Sequence, residues 1–554
     1  MSPSGEISRL VAVTSEIYWG NLHMNINEII AEGKKTALGI EFGSTRIKAV
    51  LVDEENKVLA QGDHEWENHL DNGIWTYPLD EVWAGLQDCY AKLKKDVNDK
   101  YDVKLTKIGA IGFSAMMHGY LAFDKNDNLL VPFRTWRNTI TGEAAAELSK
   151  ELNFNMPQRW SISHYYQCIL NKEPHVKDVA YFMTLACYVH FKMTGKKVAG
   201  VGEASGMFPI DSKTCQYDTA MLEKFNKLAA AHGVTTKVED LMPAVLVAGD
   251  DAGTLTEEGA KLLDPTGELE PGCPLAPPEG DAGTGMVATN AVSAGTGNVS
   301  AGTSVFSMVV LDKPLSKPYE EIDMVTTPTG EAVAMVHCNN CTSDLNAWVG
   351  IFKEFADAFG MDVSMNDIYG TLYRKALTED ANCGGVVSFN YFGGEPVVNV
   401  NEGRPMVVRQ PDAKFSLANF MRSNLYGALG VLKIGNDILL KEEHVPIKSI
   451  TGHGGFFKTK GVGQSVLAAA LNAPITVMAT AGEGGAWGMA VLANYLLRED
   501  KSKKLQDYLD ENVFAGQEST TMEPDADMVK GYDEWMVDYR KALKAEACAV
   551  ESWR

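Results

Sequence analysis

The sequence predicts an α/β protein of two large lobes. Strand-like and helix-like segments alternate from Thr36 onward, and two hairpins with glycine- and hydroxyl-rich tips recur roughly half a chain apart. At 554 residues, the chain is also longer than one core readily holds. Hydrophobic residues make up 45% of it, ample for two cores.

The first hairpin runs from Leu38 to Asp53, with Gly43, Ser44 and Thr45 at its tip. Glycine lets backbone approach a ligand closely, and N–H groups and hydroxyls together suit phosphate. Asn298 to Ser307 repeats the idea, with Gly302, Thr303 and Ser304 at the turn. The pair suggests a duplicated core holding a nucleotide's phosphates between its halves. Further glycine clusters follow at Gly452 to Gly455 and Gly482 to Gly488. No Gly-x-x-x-x-Gly-Lys-Ser/Thr run exists, which excludes a P-loop, and the fourth cluster lacks the strand-then-helix setting of a dinucleotide fold.

Between these turns, Asp80 to Asp99 reads as an amphipathic helix and Lys107 to Ser114 as a buried strand. Asp264 to Glu279 is a Pro/Gly-rich loop, and Leu417 to Leu440 a long helix. We place residues 1–35 as an N-terminal extension, 36–295 as the first lobe, and 296–554 as the second lobe with a helical tail. In the extension, Ile17-Tyr18-Trp19 and Ile26 to Ile30 read as a short element packed on the surface.

The formal net charge of −23 disfavours nucleic acid or an anionic membrane as partner. Nine cysteines lack framework spacing, and the single Cys-x-x-Cys, Cys338 and Cys341 beside His337, has no second pair to complete a metal site. Reduced thiols, the lack of a bilayer-length apolar run and the lack of a secretory leader make the cytoplasm the expected compartment.

The turns, taken in order, resemble the FGGY carbohydrate kinases of the sugar kinase, heat-shock chaperone and actin superfamily. Gly39-Ile40-Glu41-Phe42-Gly43-Ser44-Thr45 is similar to the family's first phosphate hairpin and Gly302-Thr303-Ser304 to its second. Gly452 to Gly455 resembles its adenosine-side turn, and Glu483 to Ala490 its later helix start; the likeness covers roughly residues 36 to 545. It implies two actin-like (ribonuclease H-like) lobes, each a mixed sheet flanked by helices, with the active site in the cleft between them. It implies ATP and Mg²⁺ as cofactors, a small sugar or polyol as substrate, and a ketopentose such as xylulose or ribulose first among these. A homodimer, another sugar, a sugar acid, glycerol and a non-catalytic ATP-binding protein stay open.

The resemblance also implies roles. Asp281, in Glu279-Gly280-Asp281-Ala282-Gly283, stands where the family carries its catalytic base; an N-capping aspartate is the ordinary alternative. Asp251 shows a similar Asp-Ala-Gly-Thr context but falls too early in the chain. Met117, His118, Trp75 and Asn138 are the sugar-side candidates, Asn138 standing where relatives often have aspartate. Gly43, Ser44, Thr45, Lys48, Gly302, Thr303, Ser304, Gly454 and Gly455 are the nucleotide candidates, with Asn436 on a helix flanking the adenine pocket. Glu41 replaces the family's metal-linked aspartate, so Glu41 and Asp281 are the expected metal supports. Pro396 replaces an arginine of a second signature.

Overall fold

The computed structural model describes residues 25–478 and 484–553. The apolar cluster at Ile17-Tyr18-Trp19 and the carboxylate of Glu483 lie outside them. The extension's second cluster forms a helix over Ile26–Glu32, closed by a reciprocal cap between Asn25 and Glu28.

β1 (Thr36–Phe42) turns back at Gly43 into β2 (Arg46–Asp53), and β3 (Val58–Glu65) continues the antiparallel meander. α1 (Leu79–Tyr101) follows, burying Val82, Leu86, Leu93 and Val97 at helical spacing. Its length allows the crossover that a parallel pairing needs. β4 (Ala110–Ala115) then lies parallel to β1, and β5 (Glu279–Gly280) parallel to β4. The first sheet has the order β5-β4-β1-β2-β3. α2 (Asp281–Ala288) starts where β5 ends.

The second sheet begins with β6 (Thr296–Ala301) and β7 (Val305–Val310), followed by β8 (Asp323–Thr326) and β9 (Ala332–Cys338). α3 (Ser343–Ala358) and α4 (Leu417–Asp437) come next, the latter buried from Ala418 to Asn436. β10 (Ser449–His453), β11 (Ile475–Met478) and β12 (Ser519–Met522) complete the order β8-β9-β7-β6-β10-β11-β12. The pairings are mixed, antiparallel around β7 and parallel from β6 to β11. Among the described residues, no helix is long and apolar enough to cross a membrane.

Register decides where the site can lie. Phe42 pairs with Ala115, and Ala115 with Gly280. The residues after all three parallel strands, Gly43–Thr45, Met116–His118 and Asp281, therefore emerge at one edge. In the second sheet Ser300 pairs with His453, so the Gly302 and Gly454 turns also emerge together. Ligands of parallel sheets bind beyond such carboxyl ends.

α5 (Gly484–Leu497) packs back on the first sheet, its side chains joining that core, and α6 (Ala526–Ser552) packs on the second. α5 lies almost on the backbone of β1. A Cβ on Gly39 would stand 2.1 Å from the Ala486 carbonyl oxygen and 2.3 Å from the Ala490 nitrogen, and one on Gly488 2.1 Å from the Thr284 carbonyl oxygen. Backbone cannot yield as a flexible side chain can. We expect Gly39→Ala to lower stability by about 3 kcal/mol through overpacking, whereas Gly350→Ala, in α3 with nothing within 4 Å of the added atom, leaves it unchanged or raised. Thermal melts of both variants test this; equal melts would contradict the close approach.

Candidate active site

One hollow of about 200 Å³ receives residues from both sheets. Ser44, Met117, His118 and Asp281 reach it from the first half, Ser304, Phe306, Met335 and His337 from the second. The two glycine turns, 260 residues apart in the chain, thus face one cavity that also holds the expected base. A larger hollow of about 650 Å³ lies between Phe154, Ile210, Met221 and Leu315, with neither turn nor Asp281 in its wall, so chemistry and not volume identifies the site.

Both turns are held from behind. Trp66 Nε1 donates to the Gly43 carbonyl at 2.7 Å, and the Tyr77 hydroxyl to that of Ser44 at 2.6 Å. On the other side, Cys341 N–H donates to the Thr303 carbonyl at 2.8 Å, and Thr342 to that of Gly302 through both N–H and hydroxyl. The Cys-x-x-Cys segment is thereby structural support, with both thiols buried. Gly454 has φ +102°, and a Cβ there would meet the Ala301 carbonyl oxygen at 2.4 Å, so the third turn lies flush against the end of β6.

Asp281 is the first residue of α2, at the positive end of the helix dipole. Its Oδ1 accepts from Met117 N–H at 3.3 Å. Burial pushes its carboxyl up to about 6, against the pull of backbone N–H groups from Met117 and Ala282. Glu41 stands beside it. Burial, and then the Asp281 charge, push Glu41 up to about 8, while Lys48, opposite it on β2, pulls it back. The longer glutamate has room because residue 485 is glycine: a Cβ there would fall 1.7 Å from Glu41 Oε2. Asp251, by contrast, turns its carboxylate onto Gly253 N–H at 2.8 Å and is absent from the hollow's wall.

His118 adopts φ +72°, uncommon for a residue with a side chain. Its Nδ1 lies 3.2 Å from the Gly206 carbonyl, which can only accept, so Nδ1 carries the hydrogen and Nε2 is left as an acceptor. Burial, with Arg159 next, lowers His118 well below the ordinary histidine range and His337 to about 3. Both rings are neutral at pH 7.

Two expectations shift. Trp75 does not line the hollow; its ring is covered by the Arg137 guanidinium at 3.7 Å, and Trp136 forms the wall instead. Asn138 is buried, and its amide is spent on backbone: Oδ1 accepts from Trp75 N–H at 2.9 Å, and Nδ2 donates to the carbonyls of Trp75 at 2.8 Å and Thr135 at 3.0 Å. It lies outside the hollow's lining and ties the backbone of Trp75 to that of Thr135. Asn436, on α4, bonds the Ser307 hydroxyl inside the second core. Arg159 and His337 line the hollow without having been singled out for it in the sequence. Arg159 forms an ion pair with Asp323 of the second sheet, and Asn155 Nδ2 donates to the same carboxylate at 3.0 Å, so the pair bridges the two halves.

The donors present fit a hard divalent cation. Glu41 and Asp281 crowd two carboxylates together, and the buried Ser114 hydroxyl, in register with Glu41, lies near it but outside hydrogen-bond geometry. An oxygen-only set of this kind suits Mg²⁺ with part of its water shell retained.

Comparison with known proteins agrees with this geometry. Residues 36–267 match the N-terminal domain, and 297–497 the C-terminal domain, of the FGGY family of carbohydrate kinases. A xylulose kinase of Escherichia coli is 23% identical over 288 residues, covering 51% of this chain and 55% of the relative. A glycerol kinase of Thermococcus kodakarensis is 22% identical, covering 50% of this chain and 54% of the relative. These alignments span about half the length of the relatives. A gluconate kinase structure from Lactobacillus acidophilus superposes with a TM-score of 0.74 at 18% identity, covering 94% of this chain and 99% of that one, which shows the shared two-lobe fold.

If Asn138 serves the backbone around it and not the substrate, Asn138→Ala leaves the Trp75 N–H without its acceptor, while the Trp75 and Thr135 carbonyls keep the backbone donors Thr135 N–H and residue 138 N–H. We expect a loss of about 1–3 kcal/mol, read as a melting midpoint a few degrees lower. An unchanged midpoint with weakened substrate binding would assign Asn138 to the substrate instead.

Proposed function

The chain belongs to the FGGY family of carbohydrate kinases, and on that footing we propose that it transfers the γ-phosphoryl group of ATP to a hydroxyl of a small sugar or polyol. The observation that carries the proposal is the meeting of both hydroxyl-bearing turns and Asp281 at one hollow. We place a ketopentose such as xylulose or ribulose first. Relatives that are glycerol and gluconate kinases keep other polyols and sugar acids in the test panel.

Asp281, ionised above about pH 6, accepts the proton of the attacking hydroxyl. The freed oxygen forms a bond to the γ-phosphorus, and the bond from that phosphorus to the bridging oxygen breaks, releasing ADP. Phosphoryl transfer draws mainly on positioning and charge stabilisation. Ser44 and Thr45 on one side, with Thr303 and Ser304 on the other, hold the triphosphate, and Lys48 adds positive charge. Gly454 and Gly455 present bare backbone to the nucleoside. His118 Nε2 accepts from a substrate hydroxyl, and Met117 with Trp136 packs the carbon skeleton. Glu41 and Asp281 would hold Mg²⁺, largely through water, and the ion when bound neutralises phosphate charge. Approach of the halves across the Arg159–Asp323 bridge excludes water from the transfer.

Asp281→Asn is expected to lower sugar-dependent ADP release by roughly 10²–10⁴-fold while ATP still binds and the fold persists. Asp251→Asn should be nearly silent. In the wild type, kcat/KM should fall as pH drops through about 6, because the protonated carboxyl cannot act as a base. Activity of Asp281→Asn within a few-fold of wild type would remove Asp281 from the role. ATP binding without sugar-dependent turnover over the whole panel would point to a non-catalytic protein of the same fold.

Glu41→Gln should weaken apparent Mg²⁺ affinity and turnover with sugar affinity nearly unchanged, and Glu41→Asp should keep function or alter the preference between Mg²⁺ and Mn²⁺. Initial rates against metal concentration decide this. Three superimposable titrations would leave Glu41 without a metal role.

A further inference from the structure

Behind the second phosphate turn lies a carboxylate that the transfer chemistry does not use. Glu395 is fully buried and absent from the hollow's wall, and among the described residues no lysine or arginine offsets its charge. A buried charge persists only where hydrogen-bond donors compensate it. Glu395 has three. Its Oε1 accepts from Asn340 N–H at 2.8 Å and from Asn340 Nδ2 at 2.6 Å, and its Oε2 from Asn339 N–H at 3.2 Å. Asn340 is clasped in turn, its Oδ1 accepting from Phe392 N–H at 2.9 Å and Gly393 N–H at 3.0 Å. Asn390 Nδ2 donates to the Cys341 carbonyl at 2.9 Å.

This fastening leads to the nucleotide side of the site. The two residues after Asn340 are Cys341 and Thr342, whose N–H groups hold the Thr303 and Gly302 carbonyls. Only planar peptide units separate the fastened residue from the turn, so a shift at Asn340 is passed on to Gly302 and Thr303. The polarity of the brace is particular. Every group bonded to the Glu395 oxygens is a donor. A protonated carboxyl, or the amide of a glutamine, would bring further hydrogens to a site furnished with donors alone. The brace therefore needs the carboxylate and not merely a side chain of that shape.

We propose that Glu395 is a positioning residue for ATP: its carboxylate, acting through Asn340, fixes the Gly302–Thr303 turn in the geometry that receives the phosphates. The inference rests on the reading of that turn as a phosphate site. It adds a dependence on pH. Burial pushes Glu395 up to about 7, against the pull of the Asn340 side chain and the N–H groups of Asn339 and Asn340. The other titratable groups facing it are Cys338 at the end of β9, Cys341, Tyr391 and Tyr539 of α6. All four are pushed up from their ordinary values and stay neutral in this range, so the charge that changes in the brace is that of Glu395 itself. Protonation as pH falls through about 7 removes an acceptor, and nucleotide affinity falls with it.

The test is calorimetric titration of the full chain with β,γ-imido-ATP and Mg²⁺, at pH values on both sides of about 7, for wild type and Glu395→Gln. Above that pH the variant should bind ~10-fold more weakly, the worth of one hydrogen bond to a charged group. Below it the two should converge. Glu41, Asp281 and the ligand titrate alike in both proteins, so the difference between them isolates Glu395. In steady-state assays KM for ATP should rise by the same factor, with KM for the sugar unchanged. Glu395→Asp, which keeps the charge, should bind more tightly than Glu395→Gln, whereas a packing role would rank the isosteric glutamine first. If Glu395→Gln does not fold, Asn340→Ala carries the same comparison. A variant that binds as wild type does at every pH overturns the proposal, and so does an equal rise in KM for ATP and sugar. A wild type that binds no nucleotide at any pH would instead remove the reading of the turn as a phosphate site, and this inference with it.

Discussion

Two carboxylates held out of water side by side set the terms for the rest of this molecule. Glu41, near the end of β1, and Asp281, just after β5, flank the end of β4, and burial is the largest cause raising the proton affinity of both. Such a pair persists only where the surroundings offset it. Met117 N–H and the first turn of α2 face Asp281, and Lys48 faces Glu41. The cover over them is α5, which gets close enough only because residues 39, 485 and 488 lack side chains. Elements far apart in the chain are thus shaped to one charge problem, and that problem is what a kinase needs solved where a hydroxyl proton, a triphosphate and a cation meet.

The two sheets make the same contribution from opposite sides. In each, a hairpin turn rich in glycine and hydroxyl groups leaves the carboxyl edge of a strand, and parallel register brings a second loop beside it. Neither half forms the site alone, since the hollow takes its walls from both. The Arg159–Asp323 pair crosses between them at a partly sheltered position, so their relative placement is registered directly in the wall of the cavity. Asn155 joins in the same contact, and beside it Met308, Val310, Val325, Val333 and Met335 of the second sheet pack into the first core.

What could be read from the sequence was what is encoded locally. Glycine-hydroxyl turns between apolar runs announce hairpins, and an aspartate between glycines after a strand announces a helix start, because both depend on a few neighbouring residues. An α/β arrangement followed from the alternation of patterns, and the lobes' mixed sheets and the long helix of residues 417–437 from the family resemblance. The bonds of Asn138 to Trp75, 63 residues away, had no local sign, because an amide reads alike whether it meets a sugar or a backbone. Arg159 carried no local mark, and His337 only its place beside the Cys-x-x-Cys; the approach of the two halves makes them neighbours. The return of α5 to the first sheet was equally hidden, since a helix apolar on nearly every side says that it is buried and not against what. Gly485 gained its meaning only beside Glu41, where one residue's extra reach is matched by another's missing side chain.

A ligand-bound crystal structure with a non-hydrolysable ATP analogue, Mg²⁺ and xylulose tests the account most directly. The account predicts the terminal phosphate between Ser44 and Ser304, with a sugar hydroxyl within hydrogen-bond reach of the Asp281 carboxylate. A nucleotide bound away from these turns, or a sugar with no hydroxyl near Asp281, would contradict it.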